Sequence, residues 1–247
     1  LKQKDGLFLA FQPKYNLARD RLTGMEVLVR WIDPELGFVS PAEFIPIAER
    51  TGLIGSLGDW ILHRACSQTA EWRNSGLGDL KVAVNLSAVQ FRDPDLVTKV
   101  QSILAESGLD PAALELELTE TMVMDDAEAT ETTLRALRDL GLSLAIDDFG
   151  TGYSSLAYLK AFPVQRIKID KAFIDEINDR GEGGQIAQAV LSLSHSLGME
   201  VTAEGVEHKA QVAALRRNRC DEIQGYFYAK PMKAAEFAAF VEERKRL

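Results

Sequence analysis

Short apolar, β-branched runs alternate with longer amphipathic runs from one end of this 247-residue chain to the other. Such strand–helix alternation indicates a mostly parallel sheet. Eight units in this length leave about 31 residues for each, the size of one strand and one helix. The strands are predicted near 7–12, 25–31, 80–86, 114–119, 142–147, 166–170, 199–204 and 222–228. The helices are predicted at about 41–51, 56–74, 94–107, 126–140, 184–197, 207–218 and 233–245.

Eight such units closing on themselves predict an α/β fold of the TIM-type (β/α)8 barrel class. The competing fold is an open doubly wound sheet, which is disfavoured because no Gly-rich phosphate loop follows an early strand. The first two strands are joined by the polar segment 16–23, which is too short for a helix. We therefore predict a hairpin there, with one antiparallel strand near the N-terminus.

The chain has no Gly/Ser/Pro linker and no shift in composition that would divide it. Helix boundaries are marked locally, by a capping box at Ser40 and Glu43 and by glycine caps at Gly141 and Gly198. We expect a single domain over residues 1–247. Because the first residue is Leu1, we further expect that this domain is excised from a longer multidomain chain.

The net charge of −9 and the pI of about 5.0 argue against binding to polymeric nucleic acid or to anionic membranes. No apolar run approaches the roughly 18 residues of a membrane helix, and no signal-peptide pattern opens the chain. Cys66 and Cys220 have neither metal nor redox spacing. A cytoplasmic setting is expected, including that of a cytoplasmic domain in a larger, membrane-anchored protein.

Polar side chains interrupt seven of the predicted strands, mostly near the C-terminal ends. Singly, each has an ordinary explanation as a solvent-facing residue or a turn cap. Jointly they predict a site, because the C-terminal strand ends of a barrel converge on one face. The convergent residues are Glu26, Asn85, Glu117, Asp147, Asp148, Lys168 and Glu204, with Gln224 on the last strand.

Five carboxylates in one pocket would repel one another, and two divalent cations together with Lys168 would neutralise them. The ligands are oxygens, which favour Mg²⁺ or Mn²⁺. A two-metal oxygen site indicates hydrolysis of a phosphate ester. Arg30 shares a strand face with Glu26 and can hold a phosphate oxygen there. On the residues alone, the identity of the ester stays open.

Two assignments also stay open on periodicity alone. Glu115 and Glu117 share one strand face, so either can belong to the site. Asp147 and Asp148 are adjacent and point in opposite directions unless the strand ends or kinks there. The glycines of the following loop would permit such a kink.

The motifs that carry these residues resemble those of the EAL domain family, the cyclic di-GMP phosphodiesterases of bacteria. The matches cover nearly the whole chain, and their order, with a long Asp-Asp-Phe-Gly loop, makes the resemblance specific. They are FQP at 11–13, EVLVR at 26–30, SPAEFIP at 40–46, NLS at 85–87, LELTE at 116–120, DDFGTGYSS at 147–155, KID at 168–170, AEGVE at 203–207 and QGY at 224–226.

The resemblance implies a TIM-type barrel with one antiparallel strand and two Mg²⁺ or Mn²⁺ ions in each site. The implied ligands of the first ion are Glu26, Asn85, Glu117 and Asp147. Those of the second are Asp147, Asp148 and Glu204. Lys168 contacts the nucleophilic water, Glu207 and Gln224 complete the shell around it, and Gln224 also lies beside the substrate. The remaining implied roles are substrate contact for Gln12, Leu28 and Arg30, and support of the loop after Asp148 for Glu120.

The implied activity is hydrolysis of cyclic di-GMP to linear 5′-pGpG by a water that two metals activate. The resemblance also implies that the loop from Asp148 to Ser155 couples metal binding to formation of a homodimer. Two positions depart from the family pattern. Val27 stands in place of alanine and should face the helix layer, and Phe11 stands in place of tyrosine.

Every ligand position is filled, which favours an enzyme. The alternative is a catalytically silent cyclic di-GMP receptor or a dimerising regulatory module.

Overall fold

A ten-stranded sheet forms the centre of the molecule in the computed structural model, which describes residues 6–124, 127–150, 156–178 and 180–245. The strands are β1 Leu7–Asn16, β2 Arg21–Asp33, β3 Gly37–Val39, β4 Lys81–Asn85, β5 Leu114–Thr119, β6 Ser143–Phe149, β7 Arg166–Ile169, β8 Glu200–Ala203, β9 Glu222–Gln224 and β10 Met232–Lys233. The helices are α1 Pro41–Arg50, α2 Ile54–Asn74, α3 Ala88–Phe91, α4 Leu96–Ser107, α5 Glu120–Met124, α6 Ala127–Asp139, α7 Leu156–Ala161, α8 Lys171–Asp175, α9 Gln185–Ser196, α10 Lys209–Arg217 and α11 Ala234–Lys245, with a short 3₁₀ turn at Pro111–Ala113.

Eight of these strands close into a barrel. The hydrogen-bonded order runs β1, β9, β8, β7, β6, β5, β4 and β2, and β2 pairs with β1 again. Around the barrel, the neighbouring pairs from β2 and β4 to β8 and β9 are parallel, whereas β1 is antiparallel to both of its barrel neighbours, β2 and β9. The predicted barrel, its antiparallel strand and the hairpin between the first two strands are therefore confirmed.

Three features of the sheet differ from the predictions. β1 and β2 each run four residues further toward their connecting turn than predicted, because the hairpin pairing continues as far as Asn16 and Arg21. The last barrel strand ends at Gln224 rather than at residue 228, because the next residues turn over the loop after β8, where the Phe227 N–H donates to the Val206 carbonyl at 2.9 Å. The edge strands β3 and β10 were not predicted, since they are too short to show a period. The seven predicted helices agree with the structure to within two residues at each end.

The apolar core lies between the outer face of the strands and the helices. Phe11 packs edge-on against Trp72 at 4.8 Å between ring centroids and lies 5.9 Å from Phe237. Val27 belongs to the same buried cluster, so it faces the helix layer as expected. Neither departure from the family motifs therefore introduces a group into the barrel interior.

Because strand side chains alternate between the two faces, the other set of residues points into the barrel. Many barrels of this class fill that space with Val, Ile and Leu. In this protein the inward faces of the strands carry buried polar residues instead, namely Gln12, Lys14, Glu26, Glu115, Glu117, Asp147, Arg166, Lys168, Thr202, Glu222 and Gln224.

None of the helices within the described ranges is both long enough and apolar enough to cross a membrane.

Candidate active site

Lys168 on β7 is the centre of a cluster of carboxylates. Its ammonium Nζ lies 2.7 Å from Glu117 Oε2, 2.7 Å from Glu204 Oε1, 3.0 Å from Asp147 Oδ2 and 3.8 Å from Glu26 Oε2. Only 1% of the lysine is exposed. Burial alone would lower the pKa of Lys168, but Glu117 and Glu204 outweigh it and hold the pKa well above its ordinary value. The ammonium therefore stays charged.

A bulge in β6 explains how two adjacent aspartates reach one site. The pairing register with β7 slips, so Asp147 and Asp148 together lie opposite Lys168. Asp148 itself adopts a left-handed backbone with φ of 54°. One carboxylate oxygen each from Asp147, Asp148 and Glu204 then lie within 4.8 Å of one another. The strand therefore does kink at the two aspartates, as expected, and the left-handed residue is Asp148 itself.

The structure separates the two glutamates of β5. Glu117 lies against Lys168, whereas Glu115 lies deeper and contacts Lys14 at 3.1 Å and Arg166 at 2.9 Å. Burial would raise the pKa of Glu115, but these two cations lower it to about 2. Burial raises the pKa of Glu117 despite its lysine neighbours. Glu117 is thus the member of the pair that belongs to the cluster.

Three amide side chains surround Glu26 on β2. Asn85 Nδ2 donates to Glu26 Oε1 at 2.6 Å, and Gln224 Nε2 donates to Glu26 Oε2 at 2.6 Å. Gln224 Nε2 also donates to Gln12 Oε1 at 3.0 Å. Among the described residues nothing donates to the buried Gln224 Oε1. A buried acceptor of this kind requires a donor such as water.

Burial and neighbouring negative charge disfavour ionisation of two carboxyl groups in the cluster. Burial raises the pKa of Glu204 to about 8 even though Lys168 opposes the shift. Burial, followed by the neighbouring charge of Asp147, raises the pKa of Asp148 to about 6. Near neutral pH these carboxyl groups therefore gain by binding a positive charge.

The donor set fits two hard divalent cations. Its five carboxylates and one ammonium leave a formal charge of −4, which two such ions balance. Carboxylate and amide oxygens are the donors that Mg²⁺ and Mn²⁺ prefer. The residues that can hold the ions are Glu26, Asn85, Glu117, Asp147, Asp148 and Glu204.

The predicted substrate contacts on β2 lie along the same strand as Glu26. Arg30 is four residues further on and Leu28 two, so all three share a strand face. The Arg30 guanidinium donates through Nη1 to the Val29 carbonyl at 2.9 Å. Burial lowers the pKa of Arg30, while Glu26 acts in the opposite direction.

Two further predicted residues lie outside the strands, Glu120 at the start of α5 and Glu207 in the loop after β8. Glu120 Oε2 accepts from the Gly150 N–H at 2.8 Å and so ties down the start of the loop after β6. Glu207 is engaged elsewhere, with Oε1 3.0 Å from Lys171 Nζ. Its role in the water shell stays a prediction. The predicted dimer loop runs from Asp148 to Ser155, and residues 151–155 lie outside the described part of the chain.

Our sequence reasoning missed a second layer of buried polar residues beneath the cluster. We call this layer, formed by Lys14, Glu115, Arg166, Thr202 and Glu222, the deep layer. The signal was present in the sequence. Each member lies two positions along its strand from a residue that we assigned to the site, and therefore shares its face.

Comparisons with known proteins agree with this fold. The family model described as EAL domain matches residues 1–231. The signaling protein YkoW of Bacillus subtilis is 42% identical over 242 residues, which cover 98% of this chain and 30% of YkoW. The bifunctional diguanylate cyclase/cyclic di-GMP phosphodiesterase MucR of Pseudomonas aeruginosa is 42% identical over 235 residues, covering 95% of this chain and 34% of MucR.

The chain therefore spans about a third of the length of these curated relatives. Among solved structures, that of the PaMucR phosphodiesterase in its c-di-GMP complex superposes with a TM-score of 0.90. It has 41% sequence identity, and the match covers 94% of each chain. The family that the motifs predicted is thus confirmed by sequence and by fold, and the chain belongs to the EAL domain family.

Proposed function

We propose that this EAL domain is a metal-dependent phosphodiesterase that hydrolyses cyclic di-GMP to linear 5′-pGpG. The observation that carries the proposal is the cluster of carboxylates around the buried ammonium of Lys168. The match to the solved phosphodiesterase with bound c-di-GMP supports the choice of substrate. An acidic chain with one polar barrel mouth suits a small phosphate diester better than a polymer.

The ligands of the metals divide into two sets that share Asp147. Glu26, Asn85, Glu117 and Asp147 would hold one ion, and Asp147, Asp148 and Glu204 would hold the other. When bound, Mg²⁺ or Mn²⁺ supplies positive charge for the phosphate oxygens and a water of lowered pKa.

Lys168 acts on that water directly. Its ammonium is held among three close carboxylates and stays charged, and this positive charge would favour the ionised form of a water beside it. Gln224 offers its unpartnered Oε1 as an acceptor for a water proton. Because Gln12 and Glu26 hold the amide of Gln224, that acceptor is oriented before the substrate arrives.

The reaction adds one water molecule to the diester. The water oxygen forms the new bond to phosphorus, and the bond from phosphorus to the 3′ oxygen breaks. One water hydrogen ends on the released 3′ hydroxyl, and the phosphate remains on the 5′ carbon. Arg30 would hold a non-bridging phosphate oxygen through its guanidinium, with Leu28 and Gln12 beside the substrate.

The alternative function is a cyclic di-GMP receptor without turnover, or a regulatory module that dimerises through the loop after β6. Loss of ligands would favour that alternative. Here each of the six ligand positions carries an oxygen donor, and Lys168 lies among them. Dimerisation through the loop from Asp148 to Ser155 and a cytoplasmic location are part of the proposal.

Three substitutions separate chemistry from binding. Glu26→Ala and Lys168→Ala should abolish product formation and leave nucleotide binding measurable, whereas Arg30→Ala should also raise KM. Product is measured by chromatography in Mg²⁺, and affinity by calorimetry in Ca²⁺. Glu35→Ala and Arg19→Ala, at exposed positions, are matched controls that should keep wild-type rates.

Near-normal kcat in Lys168→Ala would refute the role given to that lysine. Near-normal kcat in Glu26→Ala would refute the two-metal proposal for this chain. Binding of cyclic di-GMP by the wild-type protein without turnover in either Mg²⁺ or Mn²⁺ would favour the receptor.

A further inference from the structure

The deep layer is balanced in charge within itself. It contains two cations, Lys14 and Arg166, and two carboxylates, Glu115 and Glu222. Arg166 Nε lies 2.9 Å from Glu115 Oε2, and its Nη1 lies 3.4 Å from Glu222 Oε1. The Thr202 hydroxyl donates to Glu222 Oε1 at 3.0 Å. This layer therefore needs no added cation, unlike the cluster above it.

Lys14 is the residue that joins the two layers. Its Nζ lies 3.1 Å from Glu115 Oε1 in the deep layer and 2.7 Å from Glu117 Oε1 in the cluster. The other oxygen of that carboxylate, Glu117 Oε2, lies 2.7 Å from Lys168 Nζ. Each oxygen of Glu117 thus contacts a different lysine, one from below and one from the cluster.

The position of Glu117 depends on these two contacts. The residue is fully buried, so water does not compete for its oxygens. A glutamate side chain has three rotatable bonds, and its carboxylate can turn unless both oxygens are held. Lys168 also contacts Glu204 at 2.7 Å and Asp147 at 3.0 Å, whereas Glu117 is the one described carboxylate of the cluster that Lys14 pairs with. Lys14 therefore holds Glu117 from outside the cluster, through an oxygen that Lys168 does not contact.

We propose that Lys14 is a positioning residue of the site, which holds Glu117 Oε1 from the deep layer so that Oε2 is presented to the cluster. The inference rests on the proposed function, since it takes Glu117 to be a metal ligand. Partners that orient a ligand in this way are worth about 10–100-fold in metal affinity. Lys14 touches neither substrate nor metal in this account, and it acts only through Glu117.

If Lys14 had a purely structural role, the variants would behave differently from what positioning of Glu117 predicts. If Lys14 serves only to balance the buried charge of Glu115, then replacing both together should leave the site intact. The double variant Lys14→Met/Glu115→Gln does this, because it removes one cation and one carboxylate and keeps the deep layer neutral. Glu115→Gln alone is the matched control, since it keeps the contact between Lys14 and Glu117.

The measurement is the binding of Mn²⁺ alone, without nucleotide, by titration calorimetry on wild type and both variants. Urea unfolding in EDTA is measured alongside it. We expect the double variant to bind Mn²⁺ about 10–100-fold more weakly than Glu115→Gln. We expect Glu115→Gln to bind like wild type. Should the double variant not fold, Lys14→Arg carries the test. It keeps the positive charge but moves the donor, so positioning predicts weakened Mn²⁺ binding and charge balance predicts wild-type binding.

Equal Mn²⁺ affinity in the double variant and in Glu115→Gln would overturn the role of Lys14, while leaving the metal site intact. Wild-type affinity in Lys14→Arg, where that variant carries the test, would overturn it equally. Failure of the wild-type chain to bind Mn²⁺ at all would instead overturn the metal proposal on which the inference rests. The two failures are therefore distinguished in one set of titrations.

Discussion

Divalent metal should stabilise the fold, and one substitution should make this gain smaller without weakening the metal-free protein. In the absence of metal, five carboxylates share one ammonium, and one oxygen each from Asp147, Asp148 and Glu204 lie within 4.8 Å of one another. Asp147→Asn removes one negative charge from this group, while Lys168 keeps Glu117 and Glu204. The variant should therefore melt no lower than wild type in EDTA, because repulsion in the cluster falls.

The magnitude follows from mass action. An ion that binds only the folded state at a hundred times its Kd stabilises it by about 2.7 kcal/mol. For a chain of this length, each kcal/mol raises Tm by about 2–4 °C, so saturating Mn²⁺ should raise the wild-type Tm by about 5–11 °C for one ion. Loss of the shared ligand should remove most of that increase in Asp147→Asn.

The assay is a thermal scan after dialysis against EDTA, with and without Mn²⁺ at constant ionic strength. Asp139→Asn, at an exposed position on α6, is the matched control and should show the full increase. An equal Mn²⁺-dependent increase in Asp147→Asn and Asp139→Asn would show that Asp147 is not a shared metal ligand, contrary to this prediction. An unchanged wild-type Tm at saturating Mn²⁺ would refute the reasoning.

Three further predictions concern the metal, the thiols and the core. Mg²⁺ and Mn²⁺ should support turnover and Ca²⁺ should not. Ca²⁺–oxygen bonds of about 2.3–2.6 Å exceed the roughly 2.0–2.1 Å of Mg²⁺ and would move the carboxylate ligands apart. Equal initial rates in Ca²⁺ and Mg²⁺ would contradict this prediction. Burial raises the pKa of both Cys66 and Cys220 to about 12. At pH 8 a disulfide reagent should therefore label these thiols no faster than the protein unfolds, and rapid labelling of the native protein would contradict this prediction. Phe237→Ala should cost about 3–5 kcal/mol in urea unfolding, because this fully buried ring packs against Phe11 and Trp72; a loss under 1 kcal/mol would mean that the core closes over the gap.

The parts of the fold that the sequence predicts are those governed by periodicity. Eight strands and seven long helices follow from runs of apolar residues, and the antiparallel strand follows from a connection too short for a helix. The edge strands β3 and β10 are not predictable in this way. They span three and two residues, and they exist only because β2 and β1 offer free edges.

The site divides along similar lines. Glu26, Glu117, Asp147 and Lys168 could be placed together because charge in an apolar strand is costly except where the strand ends of a barrel meet. Periodicity could not separate Glu117 from Glu115, since both point inward and only depth distinguishes them.

Pattern places the deep-layer residues on the inward strand faces and indicates a kink at the two aspartates, but it reports neither the partners of that layer nor the backbone conformation of the kink. Arg166 and Lys14 pair with carboxylates from distant strands, so their burial depends on contacts that no local pattern reports. The kink at Asp148 depends on a left-handed backbone that non-glycine residues adopt infrequently.

Hydrolysis of cyclic di-GMP in water enriched in oxygen-18 tests directly whether this protein brings a water to the phosphorus of the nucleotide. The protein is incubated with the nucleotide and Mn²⁺, and the product is analysed by mass spectrometry, with Lys168→Ala as the matched inactive variant. The account predicts linear 5′-pGpG carrying a single heavy oxygen on its terminal phosphate, and none of this product from the variant. Unchanged cyclic di-GMP, or a product without the heavy oxygen, would contradict the claim that the residues around Lys168 direct a water to the phosphorus.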